Sequence, residues 1–521
     1  SSMAIMKNGD TYTWGSNNNN KLGTTATKNQ IYPTKLENVN TSISGDIGTD
    51  NGGIIDTQGF VYMWGLGTYG NLGNSLYNTS VEPVLVGAEE AGLDEYDIIL
   101  HLGETHQITV TNKTFNVLKE IQETGTINYN IGNSNIASIS NTGLVTGQKE
   151  GKTTAIVTKA DTGATSIANV TVLPEGVEIE PMALTCMSHT VVLKANGTVW
   201  AYGLNSSYEL GNGTSISSDR PIQVSFPSNI KITQIAVGNT HNLALDTEGN
   251  VWVWGVNSNN ALGTKLKTTP SRLGISNVKK IAANNDQSMI LTKDGYVYVW
   301  GLNSNGELGV GTYKEVKTPT LLNYVNNILD ISIGKNHTML LTTKGKVLTS
   351  GLNSYGQTGK TEGKTNIFTQ IEVPATVGKI SAGDNHSVLL TTNGEVYTFG
   401  YNENGQLGLG TKTNVTIPTK TNMTNIMEIS AGRNHTVVLG ANRVLYSTGS
   451  NSNGQLGIGT KDDKLLFTEI TKVQDMMSIS SGNTYNVAIK YDGNVYGWGD
   501  YYHGTASVKT KTNRLDFCKW N

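Results

Sequence analysis

One pair of residues, an aromatic followed by glycine, returns along the chain at a nearly constant interval. It occurs at Trp14-Gly15, Trp64-Gly65, Tyr202-Gly203, Trp254-Gly255, Trp300-Gly301, Phe399-Gly400 and Trp498-Gly499, with degenerate copies at Ser350-Gly351 and Thr448-Gly449. Successive marker glycines from Gly203 onward are 52, 46, 50, 49, 49 and 50 residues apart, and Gly15 to Gly65 is 50. A period of this size is the signature of a repeat architecture and takes precedence over any local reading. Only the step from Gly65 to Gly203, 138 residues, breaks the rhythm, and its excess has the size of one inserted domain.

Inside each period the pattern is finer. Eight residues after the marker comes a second glycine, preceded by leucine in Leu22-Gly23, Leu210-Gly211, Leu407-Gly408 and others, with Thr358-Gly359 as a variant. Six residues before the marker lies a turn glycine, as in Asn196-Gly197 and Asp294-Gly295; Arg443 is the single exception. Such pairs between alternating apolar runs predict type I′ hairpins, whose central residues need positive φ. Each repeat therefore reads as about four short strands, one propeller blade. A single blade leaves both faces of its sheet exposed, whereas blades stacked around an axis cover one another.

The wording of the repeat, with Gly-x-x-His and later Gly-Gln-Leu-Gly (residues 404–410 and 453–459), resembles the regulator of chromosome condensation repeat family. The resemblance implies a seven-bladed β-propeller. Seven markers follow the insert, so residues 177–521 read as one closed ring. Residues 1–92 hold one and a half further repeats, the first lacking its opening strand. They are either the tail of a preceding propeller or the first blades of a nine-repeat ring. The insert, 93–176, carries alternating strands such as Ile-Ala-Ser-Ile-Ser-Asn-Thr-Gly-Leu-Val-Thr-Gly (136–147), which resemble the bacterial immunoglobulin-like group 2 family. That likeness implies a small β-sandwich and an extracellular or bacterial cell-surface location. The fold class expected is all-β.

Composition narrows the partners. Gly is 60 of 521 residues and Pro 10, which suits tight turns between strands. The formal net charge of −3, from 38 Lys and Arg against 41 Asp and Glu, gives no support to nucleic acid as a partner. No run of 18 apolar residues is present, so membrane insertion by a helix is not expected. No secretory leader precedes the repeat sequence at Ser1, which reads as a fragment or a processed chain. Cys186 and Cys518 are too far apart in sequence to judge whether they meet.

Five histidines, His189, His241, His337, His386 and His435, lie 14 residues before their marker glycines, and Gln287 and Tyr485 fill the same place in the third and seventh repeats. Residues related by rotation about an axis do not converge on one zinc ion, which needs nitrogens within about 2.1 Å of it. A buried polar role, bonded within or between blades, is the preferred reading. No catalytic grouping and no cofactor motif stands out. The candidate partner-binding residues are the loop tyrosines after the markers, Tyr208, Tyr355, Tyr401, Tyr501 and Tyr502. The expected function is that of a non-catalytic extracellular bacterial binding protein, with a protein or a surface glycan as partner. The alternatives are a carbohydrate-binding or carbohydrate-processing propeller and, less favoured, nucleotide exchange on a small GTPase.

Overall fold

The computed structural model describes residues 1–24, 28–37, 39, 41–57, 61–66, 80–85, 91–112, 126–160, 163–175, 177, 179–185, 189–361, 363–491, 493–500 and 514–519. Seven four-stranded antiparallel sheets span 182–223, 232–272, 278–321, 328–371, 377–420, 426–470 and 476–519, called blades 1 to 7. Within each blade the strands a, b, c and d run in chain order from the axis outward. Strand a of each blade packs on strand a of the next, and that of blade 1 meets strands a and b of blade 7, so the ring closes. Two further sheets, one of three strands (2–35) and one of four (42–85), pack on each other through Leu36, Ile54 and Trp64. Residues 91–173 form the sandwich, in which the strand Asp97–His101 runs parallel to Thr165–Leu173. Its core gathers Ile98, Leu100, Ile136, Val145, Val157, Val170 and Val172.

The repeat motif is explained by what crosses from blade to blade. Trp254, Trp300 and Trp498 are fully buried, and each indole N–H donates to a carbonyl of the preceding blade: Glu209 O (2.8 Å), Ala261 O (2.8 Å) and Gln455 O (3.0 Å). The ring lies on the second glycine of that preceding blade. A β-carbon on Gly211 would come within 2.8 Å of Trp254, and one on Gly263 within 2.9 Å of Trp300. In the two degenerate repeats the donor becomes a hydroxyl, Ser350 to Gly306 O (2.7 Å) and Thr448 to Gly405 O (2.9 Å). The space left by the missing ring is taken by Phe368 and Phe467 from strand d, which press on Gly309 and Gly408. The aromatic wedge is thus kept in these two blades although its position in sequence moves.

The histidines form a belt through the same interfaces. Each Nε2 bonds the residue that follows the histidine position in the next blade. The pairs are His189 with Asn242 Oδ1, His241 with Ser288 Oγ, His337 with Ser387 Oγ, His386 with Thr436 Oγ1 and His435 with Asn486 Oδ1, all at 2.7–2.9 Å. These partners donate onward to carbonyls of the histidine's own blade, Ser288 to Ala261 O and Ser387 to Gln357 O among them. A hydroxyl that spends its proton this way accepts from the imidazole, so Nε2 carries the hydrogen. The glycine three residues earlier makes room: a β-carbon on Gly238, Gly334, Gly383 or Gly432 would overlap the ring at under 3.0 Å. In blade 7 the Tyr485 hydroxyl donates to His189 O (3.1 Å) and joins the last blade to the first.

The hairpin turns differ from expectation. At Lys194–Thr198 the loop has three residues, with Gly197 N bonded to Lys194 O and only Gly197 at positive φ (79°). This is a type I turn closed by a left-handed glycine, not type I′, because pairing ends one residue earlier than the Asn-Gly rule assumes.

Burial holds the belt histidines neutral, with pKa values lowered to about 4 for His189 and His435 and about 3 for His241, His337 and His386. In the unfolded chain they titrate near 6.5. Stability is therefore complete above that pH and is lost as pH falls toward the folded values, by about 1.4 kcal/mol per pH unit for each histidine. Thermal unfolding followed between pH 7 and pH 4 is expected to show a steeply falling midpoint; a flat profile would contradict the belt. Glu307 has the opposite sense. Burial raises its carboxyl to about 7, so the fold loses stability as pH rises from the unfolded value toward 7. Glu307→Gln is expected to raise the unfolding free energy at pH 8, by up to about 3 kcal/mol, and to change little below pH 4.

Candidate functional site

The ring has two unlike faces. Strand b begins beside the marker glycine at the end of strand c, as His241 pairs with Gly255. The a–b loops and the loops after the markers therefore share one face, and the b–c hairpin turns form the other. The immunoglobulin-like domain sits on the hairpin face. Ile167 N donates to Thr343 O (2.9 Å) in the turn of blade 4. A β-carbon on Gly132 would strike Thr392 O in the turn of blade 5. In blade 6 Arg443 reaches Glu150 Oε2 (2.8 Å) and stacks on Tyr491 at 4.0 Å. Arg443 is the repeat's one missing turn glycine, and it holds φ at 64°. A left-handed arginine costs about 1–2 kcal/mol, and here the side chain that incurs the cost clamps the second domain.

The axis is a channel of about 710 Å³, floored by the immunoglobulin-like domain and reaching the a–b loops at Asp384, Arg433 and Asn483. Six of the seven inner strands carry a β-bulge 21 residues before the marker glycine, at Gln234, Lys280, Asp330, Lys379, Glu428 and Ser478. A bulge re-aims a side chain, and Gln234, Lys280, Asp330, Lys379 and Glu428 all line the channel. Lys280 pairs with Asp330. Blade 7 has Ser478 here, and Lys152 of the immunoglobulin-like domain also lines the channel. It binds Glu428 Oε1 (3.0 Å) and Glu180. The two carboxylates hold the Lys152 ammonium above its ordinary pKa although burial opposes them more strongly than any single attraction. Lys279 on the same rim lies 3.8 Å from Asp97 of that domain.

Among the described residues nothing is seated on the opposite face, and its loops are pinned. In the loops of blades 1 to 6, an asparagine two residues after the marker accepts from a backbone N–H five residues on: Asn205 from Leu210, Asn257 from Leu262, Asn303 from Leu308, Asn353 from Thr358, Asn402 from Leu407 and Asn451 from Leu456, all at 2.8–3.0 Å. On this scaffold Tyr355 and Tyr401, from adjacent blades, meet with ring centroids 4.8 Å apart. The Tyr401 hydroxyl donates to Glu403 Oε2 (2.9 Å). Tyr208 stands apart in blade 1, half-buried at φ 62°, in the place where Gly306, Gly356, Gly405 and Gly454 occur. Tyr501 and Tyr502 lie outside the described residues, as does Cys186. The five histidines do not gather, and among the described residues no three His, Cys, Asp or Glu side chains could share a metal ion. Sequence reasoning missed Lys152, Lys379, Glu180 and Glu428. For Lys379 and Glu428 the signal was a charged residue at one fixed place in the period; Lys152 and Glu180 lie outside that pattern.

Removing the ammonium from this cluster leaves two buried carboxylates facing each other, a loss of about 3 kcal/mol. Lys152→Met is therefore expected to free the immunoglobulin-like domain while the ring stays folded. Hydrogen exchange of the turns at Thr343, Thr392 and Arg443 is the measurement, and unchanged protection there would contradict the clamp.

Comparison with known proteins agrees with this architecture. Residues 209–517 match the RCC1-like domain, 8–46 the regulator of chromosome condensation repeat and 94–170 the bacterial Ig-like domain, group 2. The ultraviolet-B receptor UVR8 of Arabidopsis thaliana is 28% identical over 268 residues, 50% of this chain and 52% of its own length. The human E3 ubiquitin-protein ligase HERC2 is 27% identical over 272 residues, 51% of this chain and 5% of its own. The chain thus spans about half of UVR8 and a small part of HERC2. Among solved structures, yeast RCC1 (Prp20) bound to Kap60 superimposes with a TM-score of 0.57 at 26% identity, covering 65% of this chain and 85% of that one. With the match to 209–517 taking in more than half of its residues, the chain belongs to the RCC1-like domain family of β-propellers.

Proposed function

We propose that this chain is a non-catalytic binding protein that docks a partner protein on the open face of the ring. One observation carries the reading: the immunoglobulin-like domain occupies the hairpin face through Lys152 and Arg443, which leaves the pinned loops as the presented surface. Tyr355 and Tyr401 form an aromatic pair on a rigid support, the arrangement that anchors interfaces at low entropic cost. The solved yeast relatives support a protein partner, since one is bound to Kap60 and another is described with its binding to Gsp1p and histones. The second domain's likeness to bacterial immunoglobulin-like modules supports an extracellular or cell-surface setting. In that setting it acts as a spacer and stopper behind the binding face.

The test is capture of proteins from the producer's surroundings on the immobilised chain. Tyr355→Ala with Tyr401→Ala is expected to weaken capture by about tenfold or more, as loss of an interface anchor does. Tyr208→Gly separates stability from binding: relief of the left-handed tyrosine raises the unfolding free energy by about 1 kcal/mol, while capture falls. Equal capture by the parent protein and both variants sinks the assignment of the face.

A further inference from the structure

Four aromatic rings among the described residues carry a cation of the chain's own: Trp200 with Lys194 at 4.3 Å, Tyr96 with Lys279 at 5.5 Å, Tyr313 with Lys364 at 4.5 Å and Tyr491 with Arg443 at 4.0 Å. The Tyr355–Tyr401 pair of the open face carries none among those residues. Its rings are tilted by 60° instead of stacked, and Tyr355 is 37% exposed. Glu403 follows two residues after Tyr401 in the same loop and is exposed. Its Oε2 accepts from the Tyr401 hydroxyl, and among the described residues no lysine or arginine pairs with it.

The cations of the neighbouring loops are engaged elsewhere. Lys360 donates to Thr349 O (3.1 Å) and to Thr369, and Lys364 covers Tyr313. Two residues before the belt position, blades 2, 3 and 7 have Asn239, Asn285 and Asn483, whereas blades 4, 5 and 6 have Lys335, Asp384 and Arg433. Arg433 lies 3.6 Å from Asp384, and Lys335 lines the axial channel. Glu403 is left as a carboxylate with no counter-charge on it. Burial, and then this carboxylate, raise the Tyr401 pKa, so the phenol keeps its proton at neutral pH. A phenol whose proton is drawn to a carboxylate has the more electron-rich ring, and the negative face of such a ring attracts cations.

We propose that Tyr355, Tyr401 and Glu403 together receive a cationic side chain, a lysine or an arginine, of the protein docked on the open face. This assignment, which rests on protein docking at that face, gives the partner's anchor its charge. An ammonium or guanidinium over the rings gains from the ring quadrupoles and from the Glu403 carboxylate in one position. A carboxylate of the partner would meet Glu403 with like charge. An apolar side chain would cover the rings but strip water from Glu403 and return nothing to it.

The full chain, ¹³C-labelled in its tyrosine rings, is titrated at low salt with four probes and read by NMR. They are N-acetyl-arginine amide, N-acetyl-lysine amide, the neutral N-acetyl-citrulline amide and tetramethylammonium chloride. The Tyr355 and Tyr401 signals, assigned through Tyr355→Phe and Tyr401→Phe, are expected to shift with the arginine or the lysine probe, half-saturating below about 50 mM. The citrulline probe leaves them in place, and Tyr313, already covered by Lys364, stays still throughout. Glu403→Gln is expected to weaken the response about threefold, with the other tyrosine signals unchanged as the sign that it folds. No shift with either cationic probe, an equal shift with citrulline, or an unweakened response in Glu403→Gln overturns the proposal. Tighter binding of tetramethylammonium than of both side-chain probes also overturns it, by making a free quaternary amine the occupant. None of these readouts uses a partner protein. A negative titration beside lost capture in the Tyr355→Ala, Tyr401→Ala variant therefore removes the cation and keeps the docking face.

Discussion

The ring depends on one relay repeated around it: imidazole to side-chain oxygen of the next blade, and from there back to a backbone carbonyl. It ties adjacent sheets at a depth where each link is fully buried. Buried polar networks of this kind favour a single arrangement, here through Nε2, since Nδ1 of each of the five imidazoles is buried without a hydrogen-bond partner. They also fix tautomer and orientation, which is why histidine recurs and why glycine three residues earlier recurs with it. Where the third blade uses Gln287, the relay changes form: its amide donates to Glu307 (3.0 Å) and to Lys335 O (3.4 Å) instead.

A repeat protein built on strict equivalence gains function where the equivalence fails. Arg443 replaces a turn glycine and reaches Glu150; Tyr208 replaces a loop glycine on the open face; Ser478 leaves the channel position of the last blade without a charge. One of these departures, Arg443, meets the immunoglobulin-like domain directly. The inserted domain is thus not a passive appendage. It supplies a lysine to the channel floor and occupies the hairpin face.

Much of this was legible in the sequence, because the period exposes every position that packing constrains. The marker aromatics, the second glycines and the preferred role of the histidines follow from spacing and from the impossibility of converging residues related by rotation. The fold class and the two families were legible for the same reason. The hairpin type was misjudged because an Asn-Gly pair does not reveal how many residues precede it in the loop. The channel cluster was missed because charges at Lys280, Asp330, Lys379 and Glu428 look like a solvated face until bulges aim them inward. Lys152 could not be linked to Glu428 at all, since their juxtaposition arises from docking and from no local pattern. The compensation by Phe368 and Phe467 was equally invisible, being a swap between strands.

No strand is exchanged between the first and last blades; each sheet of the ring comes from one unbroken stretch of chain. Among the described residues the seam carries Tyr485 on the carbonyl of His189 and Ala183, Val192 and Tyr202 against Met477, Val487 and Ile489. A tensile load across that joint would part these contacts before any sheet lost a backbone hydrogen bond. The same holds at each of the other six joints, so the circle is a stack of complete sheets whose two end members meet as any neighbours do.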